Sequence, residues 1–126
     1  MTVIKSHLDL LFGGFTSVNW MESGASQDES AFIFSLTKDS IHIPYRNKEK
    51  AIIRDGVLCF GTADDEFYSD IFLTDNCNKG MNSHCSLGST YSLPEGLIYD
   101  SEGAKSYMAG SYKFDVKEFE VFKVIF

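Results

Sequence analysis

A chain of 126 residues with a net charge of −7 has room for one domain, and at this size roughly two-thirds of the unfolded chain's surface is hidden on folding. Its 44% hydrophobic and 23% charged residues are ordinary for a globular protein. The eleven Lys and Arg are fairly scattered, which makes nucleic acid, whose counterions a clustered basic surface must displace, and anionic membrane surfaces poor candidates as partners.

Aromatic residues reach 14%, with eleven Phe and six Tyr against only two Pro. That balance points to sheet rather than helix. The opening "MTVIKSHLDLLF" is no signal peptide, because Lys5, His7 and Asp9 interrupt its apolar runs. No stretch approaches the roughly 18 apolar residues of a membrane span. The cysteines number three, and no Asn-x-Ser/Thr site occurs; both features fit a reducing, intracellular, cytoplasmic location.

In chain order, Leu8 to Phe15 reads as a strand that carries Gly13 and Gly14 in an apolar run. Paired glycines there indicate a bent edge strand, or a place where another segment lies against bare backbone. "ESGASQDES", from Glu22 to Ser30, is an exposed loop. "AFIFSL", from Ala31 to Leu36, is expected to be a strand buried on both faces. "SIHIPY" alternates Ile41 and Ile43 against His42, a half-buried strand with its apolar residues inward and Pro44 at an edge.

Arg46 to Lys50 reads as a solvated turn, and "AIIRDGVLCFG" as a hairpin turning at Asp55-Gly56. "SDIFLTDN" is a further strand, and "DNCNKGMNSHCSLGS" is loop. Ser101 is placed to cap a helical turn that Gly103 keeps short. "VKEFEVFKVIF" carries apolar residues on both faces: Phe119, Val121 and Ile125 on one, Phe122, Val124 and Phe126 on the other. The expectation is a strand between two layers, so that the chain ends inside its own core. The class is mostly β, two packed antiparallel sheets with short flanking helices, in a single domain spanning residues 1–126.

The chemistry-bearing motifs are sparse. There is no Gly-x-Ser-x-Gly elbow, P-loop or dinucleotide fingerprint. The loop after Asp75 resembles a calcium loop only faintly, since Cys77 and Lys79 stand where oxygen ligands are needed. Cys77, His84 and Cys85 lack zinc-site spacing, so neither a metal nor a cofactor is expected. Cys77 and Cys85 are candidate oxidisable thiols if exposed, while Cys59 reads as a small packing residue. Ser83 and Ser101 are possible nucleophiles and His42 and His84 possible bases, but nothing in their spacing links them. Glu118 and Glu120 share a strand face, where an exposed strand end or an ion pair is the expectation before acid–base chemistry.

Taken in order, "FGGFTSVNW", "AFIFSLT", "SDIFLTDNCN", "NSHCSLGSTYSLP", "AKSYMAGSYKF" and "KEFEVFKV" resemble the TLD (TLDc) domain of the oxidation-resistance protein family, over about Ile4 to Val124. The residues carrying the likeness include Gly13, Gly14, Trp20, Asp70, Gly88, Gly110, Glu118 and Glu120. The resemblance implies a β-sandwich and protection against oxidative damage. It also implies binding and regulation of the vacuolar-type proton-pumping ATPase. No reaction is established for such domains; Ser83, Ser101 and Glu118 are the positions to which a catalytic suggestion would carry over. The family has a further segment upstream, so this chain reads as shortened at its N-terminus, a fragment or a short form completed by another chain. "FGTADDEFYSD" is longer and more acidic than the family's glycine-rich stretch. The implied role is a non-catalytic protein-interaction domain with a large protein assembly as its partner. The alternatives are a permanent structural subunit of such an assembly, or a redox or hydrolytic enzyme using Ser83, Glu118 or a cysteine.

Overall fold

A computed structural model of the chain describes residues 1–17, 24–54, 58–61, 69–73 and 83–122. It contains two antiparallel sheets packed face to face. Their strands are β1 (Thr2–Ser6), β2 (Leu11–Phe15), β3 (Gly24–Ser26), β4 (Phe32–Ser35), β5 (Ser40–His42), β6 (Ile52–Arg54), β7 (Leu58–Phe60), β8 (Ile71–Leu73), β9 (Ser83–Cys85), β10 (Lys113–Phe114) and β11 (Val116–Val121). The first sheet runs β11-β1-β2-β4-β5 and the second β10-β9-β8-β7-β6-β3. The helices are a 3-10 turn at Lys48–Lys50 and α1 (Glu102–Ser106).

Between the sheets lies one apolar core. Ile4, Phe12 and Ile33 of the first sheet meet Ile52, Phe60, Ile71 and Phe114 of the second. Phe12 and Phe114 join the layers edge to face, with ring centroids 5.5 Å apart, the geometry that aromatic quadrupoles favour.

The expected hairpin is present, with Ile53 opposite Cys59; its Asp55-Gly56 turn lies outside the described residues. The expected strand at Ser69–Asn76 is β8. Strand β3 lies in the stretch from Glu22 to Ser30 expected to be an exposed loop, where it pairs with β6 and Asp28 is buried. Four further expectations need correction. Leu8–Phe15 is not one strand. Asp9 adopts a left-handed φ of 64°, and the chain reverses so that β1 and β2 pair antiparallel, Ile4 opposite Phe12. The first of these strands is hidden in the sequence because two of its inward side chains, Thr2 and Ser6, are hydroxyls. The second correction concerns β9, which occupies a stretch expected to be loop. Its small side chains, Ser83 and Cys85, are fully buried.

Third, the alternation in β5 is real but inverted. His42 faces the core while Ile41 and Ile43 face outward. The fourth is the largest. β11 is not sandwiched between layers: it is an edge strand, and only Val116 is buried. Sheet order leaves β11 paired with β1 alone among the described residues, and its Phe119 and Val121 stand exposed. Val124, Ile125 and Phe126 lie outside the described residues.

Candidate functional site

The paired glycines sit inside the first sheet, between β1 and β4, and not on a bent edge. Adjacent strand residues point to opposite faces, so each glycine opens a different side. A Cβ on Gly14 would meet the Phe60 ring of the opposing sheet at 2.6–2.9 Å. A Cβ on Gly13 would collide with the Thr2 carbonyl and lie 3.0 Å from the Phe34 ring on the outer face. Each glycine is therefore a berth for an aromatic ring.

Asp70, just before β8, is wholly buried. Its Oδ2 accepts from the Gly88 and Tyr91 N–H groups at 2.9 and 3.1 Å, and its Oδ1 from Thr90 N–H at 2.8 Å. Gly88 holds φ at 106° in this cradle, a conformation that side chains disfavour. Burial pushes the Asp70 carboxyl up to about 8 against the pull of those N–H groups. The three N–H bonds make the carboxyl a staple between β8 and the 88–91 loop. Cys85 beside it is buried, and its thiol is pushed well up by that burial and then by Asp70. The exposure on which its reading as an oxidisable thiol depended is absent at Cys85; the thiolate is the reactive form. Cys59 packs as expected, buried with its Sγ 3.1 Å from Ser69 Oγ. Trp20 and Cys77 lie outside the described residues.

The remaining candidates are spread over β9, the start and end of α1, and β11. Ser83 is fully buried in β9, and His84 stacks on Phe72 with centroids 4.6 Å apart. Ser101 caps α1, accepting from the Ala104 N–H at 3.2 Å. Gly110 follows the helix, its N–H donating to the Ser106 carbonyl at 2.9 Å. Glu118 and Glu120 are exposed on β11, opposite Lys5 and Val3 respectively.

One constellation has no signature in the sequence. The His42 Nδ1 lies 2.7 Å from the Ser92 carbonyl and its Nε2 2.9 Å from Ser40 Oγ. A carbonyl only accepts, so Nδ1 donates, which leaves the neutral ring's Nε2 to accept from the Ser40 hydroxyl. The Tyr107 hydroxyl donates to Ser40 Oγ at 2.9 Å, and the Lys38 ammonium lies 4.1 Å from the Tyr107 ring centroid. Burial lowers the His42 pKa, favouring the neutral ring this network uses. Its partners stand 50 residues or more from His42 or Ser40 along the chain. Chemically, the network fastens the edge strand β5 inward through its one polar ring. The alternation then sends Ile41 and Ile43 outward.

The outer face of the first sheet is consequently apolar at its β4–β5 end. Ile41 is 69% exposed, Ile43 60% and Leu36, just past β4, 56%. Behind them Phe15 stacks on Phe32 at 5.4 Å, and Phe32 lies 6.2 Å from Phe34. On the same outer face, toward the β11 edge, a groove of about 230 Å³ is lined by Val3, Lys5, Leu11, Glu118, Phe119, Glu120 and Phe122. Among the described residues no helix is long and apolar enough to cross a membrane.

The family model of the TLDc domain matches residues 1–125. No curated protein matches the chain.

Proposed function

The chain belongs to the TLDc domain family, and on that premise we propose that it is a non-catalytic protein-interaction domain that docks on a large intracellular assembly. By the family resemblance that assembly is the vacuolar-type proton-pumping ATPase, and any bearing on oxidative stress arises through it. The carrying observation is the outward set of Ile41, Ile43 and Leu36 over the Phe15–Phe32–Phe34 tier. Contiguous exposed apolar surface of this kind marks partner sites, and rigid aromatics behind it limit the entropy lost on docking. The distribution of Ser83, Ser101 and Glu118 over three elements supports recognition over chemistry.

The test is retention of purified ATPase sectors by the immobilised chain at low and high salt. The wild type is expected to retain them, more weakly as salt screens its net charge of −7. Ile41→Asp with Ile43→Asp is expected to lower retention at least about ten-fold, on the scale of lost interface anchors, with an unchanged melting temperature. Absence of retention by the wild type refutes the named partner.

A further inference from the structure

The open side of β11 is shaped for one kind of occupant. The Met1 amino group donates to the Phe122 carbonyl at 2.7 Å, and the Phe122 N–H donates back to Met1 at 2.6 Å. That pair fixes the phase of the ladder. In an antiparallel ladder, directly opposed residues alternate between bonded and non-bonded pairs. Glu120 and Glu118 therefore turn their backbone groups toward β1. Phe119 and Val121 turn theirs away, toward an edge that has no neighbouring strand among the described residues.

The side chains follow the same alternation. Phe119 and Val121 lie opposite Ile4 and Thr2, on the inner face, yet stand 52% and 66% exposed. Glu118 and Glu120 lie on the outer face beside the groove lined by Val3 and Phe122. No side-chain ion pair engages either carboxylate among the described residues. A register shift between Lys5 and Ser6 ends the regular ladder, so the offered stretch is Glu118 to Val121.

We infer that β11 accepts an extended segment of a partner protein as an added antiparallel strand, and that this segment alternates basic and apolar residues. The inference rests on the protein-interaction reading and names the chemistry of a partner segment. Apolar residues of the segment lie opposite Phe119 and Val121, exchanging both backbone bonds with them. Lys or Arg lie opposite Glu118 and Glu120, in the non-bonded pairs where side chains approach most closely. A second copy of this chain is a poor occupant. Antiparallel self-pairing centred on Phe119 sets Glu118 against Glu120 of the copy, and centring it on either glutamate sets that residue against itself. Like charges directly opposed destabilise a sheet, which is how edge strands discourage self-association while staying open to a chosen partner.

The probe is a fluorescent nine-residue peptide alternating lysine and valine, compared by anisotropy with a peptide of equal composition in which lysines and valines form separate blocks. The full chain is expected to bind the alternating peptide at least about ten-fold more tightly, since only that pattern fits both faces of one strand. Amide exchange at Phe119 and Val121 should slow on binding. Glu118→Gln with Glu120→Gln, both at exposed sites, should weaken binding roughly five-fold without moving the melting temperature. Equal affinity for the two peptides, protection of other strands in place of Phe119 and Val121, or unchanged affinity in the double variant overturns the assignment. Wild-type retention of ATPase sectors by that double variant overturns edge addition as the docking mode and leaves the interaction reading standing. Peptide binding as expected without any retention of the sectors overturns the named partner and leaves the edge site.

Discussion

Gly14→Ala adds one methyl group, and in an ordinary strand it would stabilise the fold by about 0.5–1 kcal/mol through the unfolded chain's lost freedom. Here the added carbon would lie 2.6, 2.7 and 2.9 Å from three atoms of the Phe60 ring, about 1 Å inside a normal carbon–carbon contact. The ring is buried and packs against Tyr91 with centroids 6.3 Å and planes 68° apart, and the Tyr91 hydroxyl is tied to the Ala51 carbonyl at 2.8 Å. Overpacking of this sort costs about 1–3 kcal/mol, so the net loss is centred on ~1.3 kcal/mol. For a domain of this size that is a fall of roughly 4–8 °C in melting temperature. Thermal melts of Gly14→Ala, Phe60→Leu and the double variant form a cycle. The double variant should lie well above the sum of the single losses, because the slimmer side chain gives the methyl its space. Gly13→Ala should not be rescued by Phe34→Leu, since its collision is with the Thr2 carbonyl and not only with a ring. A Gly14→Ala melt at or above the wild type, or a cycle with no coupling, refutes the berth.

Two titrating carboxylates give opposite slopes of stability against pH. Burial would raise Asp28, but hydrogen bonds from the Ser30 and Thr16 hydroxyls and the Ser17 and Ser30 N–H groups outweigh it and hold the carboxyl at about 2. A lowered native pKa stabilises above the unfolded value near 4 and is lost as pH falls toward 2, a contribution of about 2 kcal/mol. Denaturant melts from pH 6 to pH 2 should show that loss in the wild type and a shallower one in Asp28→Ala; parallel curves would exclude the bonding pattern. Asp70, raised to about 8 by burial, acts the other way. Its stabilisation is complete below the unfolded value near 4 and declines as pH rises toward 8. Melting temperature should therefore drop between pH 5 and 8, and Asp70→Asn should flatten that drop. A wild-type melting temperature that is level across the window would show that the Gly88, Thr90 and Tyr91 N–H groups dominate and keep the carboxylate ionised.

The local terms of this fold are legible in the order of its residues. Glycine and aromatic placement, period-two alternation and the Ser101 cap depend on neighbours within a few residues. From them follow the mostly-β class, the hairpin around β6 and β7, strand β8 and the start of α1. Tertiary structure alone decided which phase of an alternation faces the core. In β5 the choice falls to His42, because Ser92, 50 residues away, supplies the carbonyl that makes a buried imidazole acceptable. In β11 it falls to sheet order: Phe119 and Val121 share a face with the buried Ile4 and Thr2, yet on this edge strand they stand exposed. Burying apolar surface stabilises a strand only where another layer arrives to exclude water, and a pattern two residues long carries no information about which layers arrive.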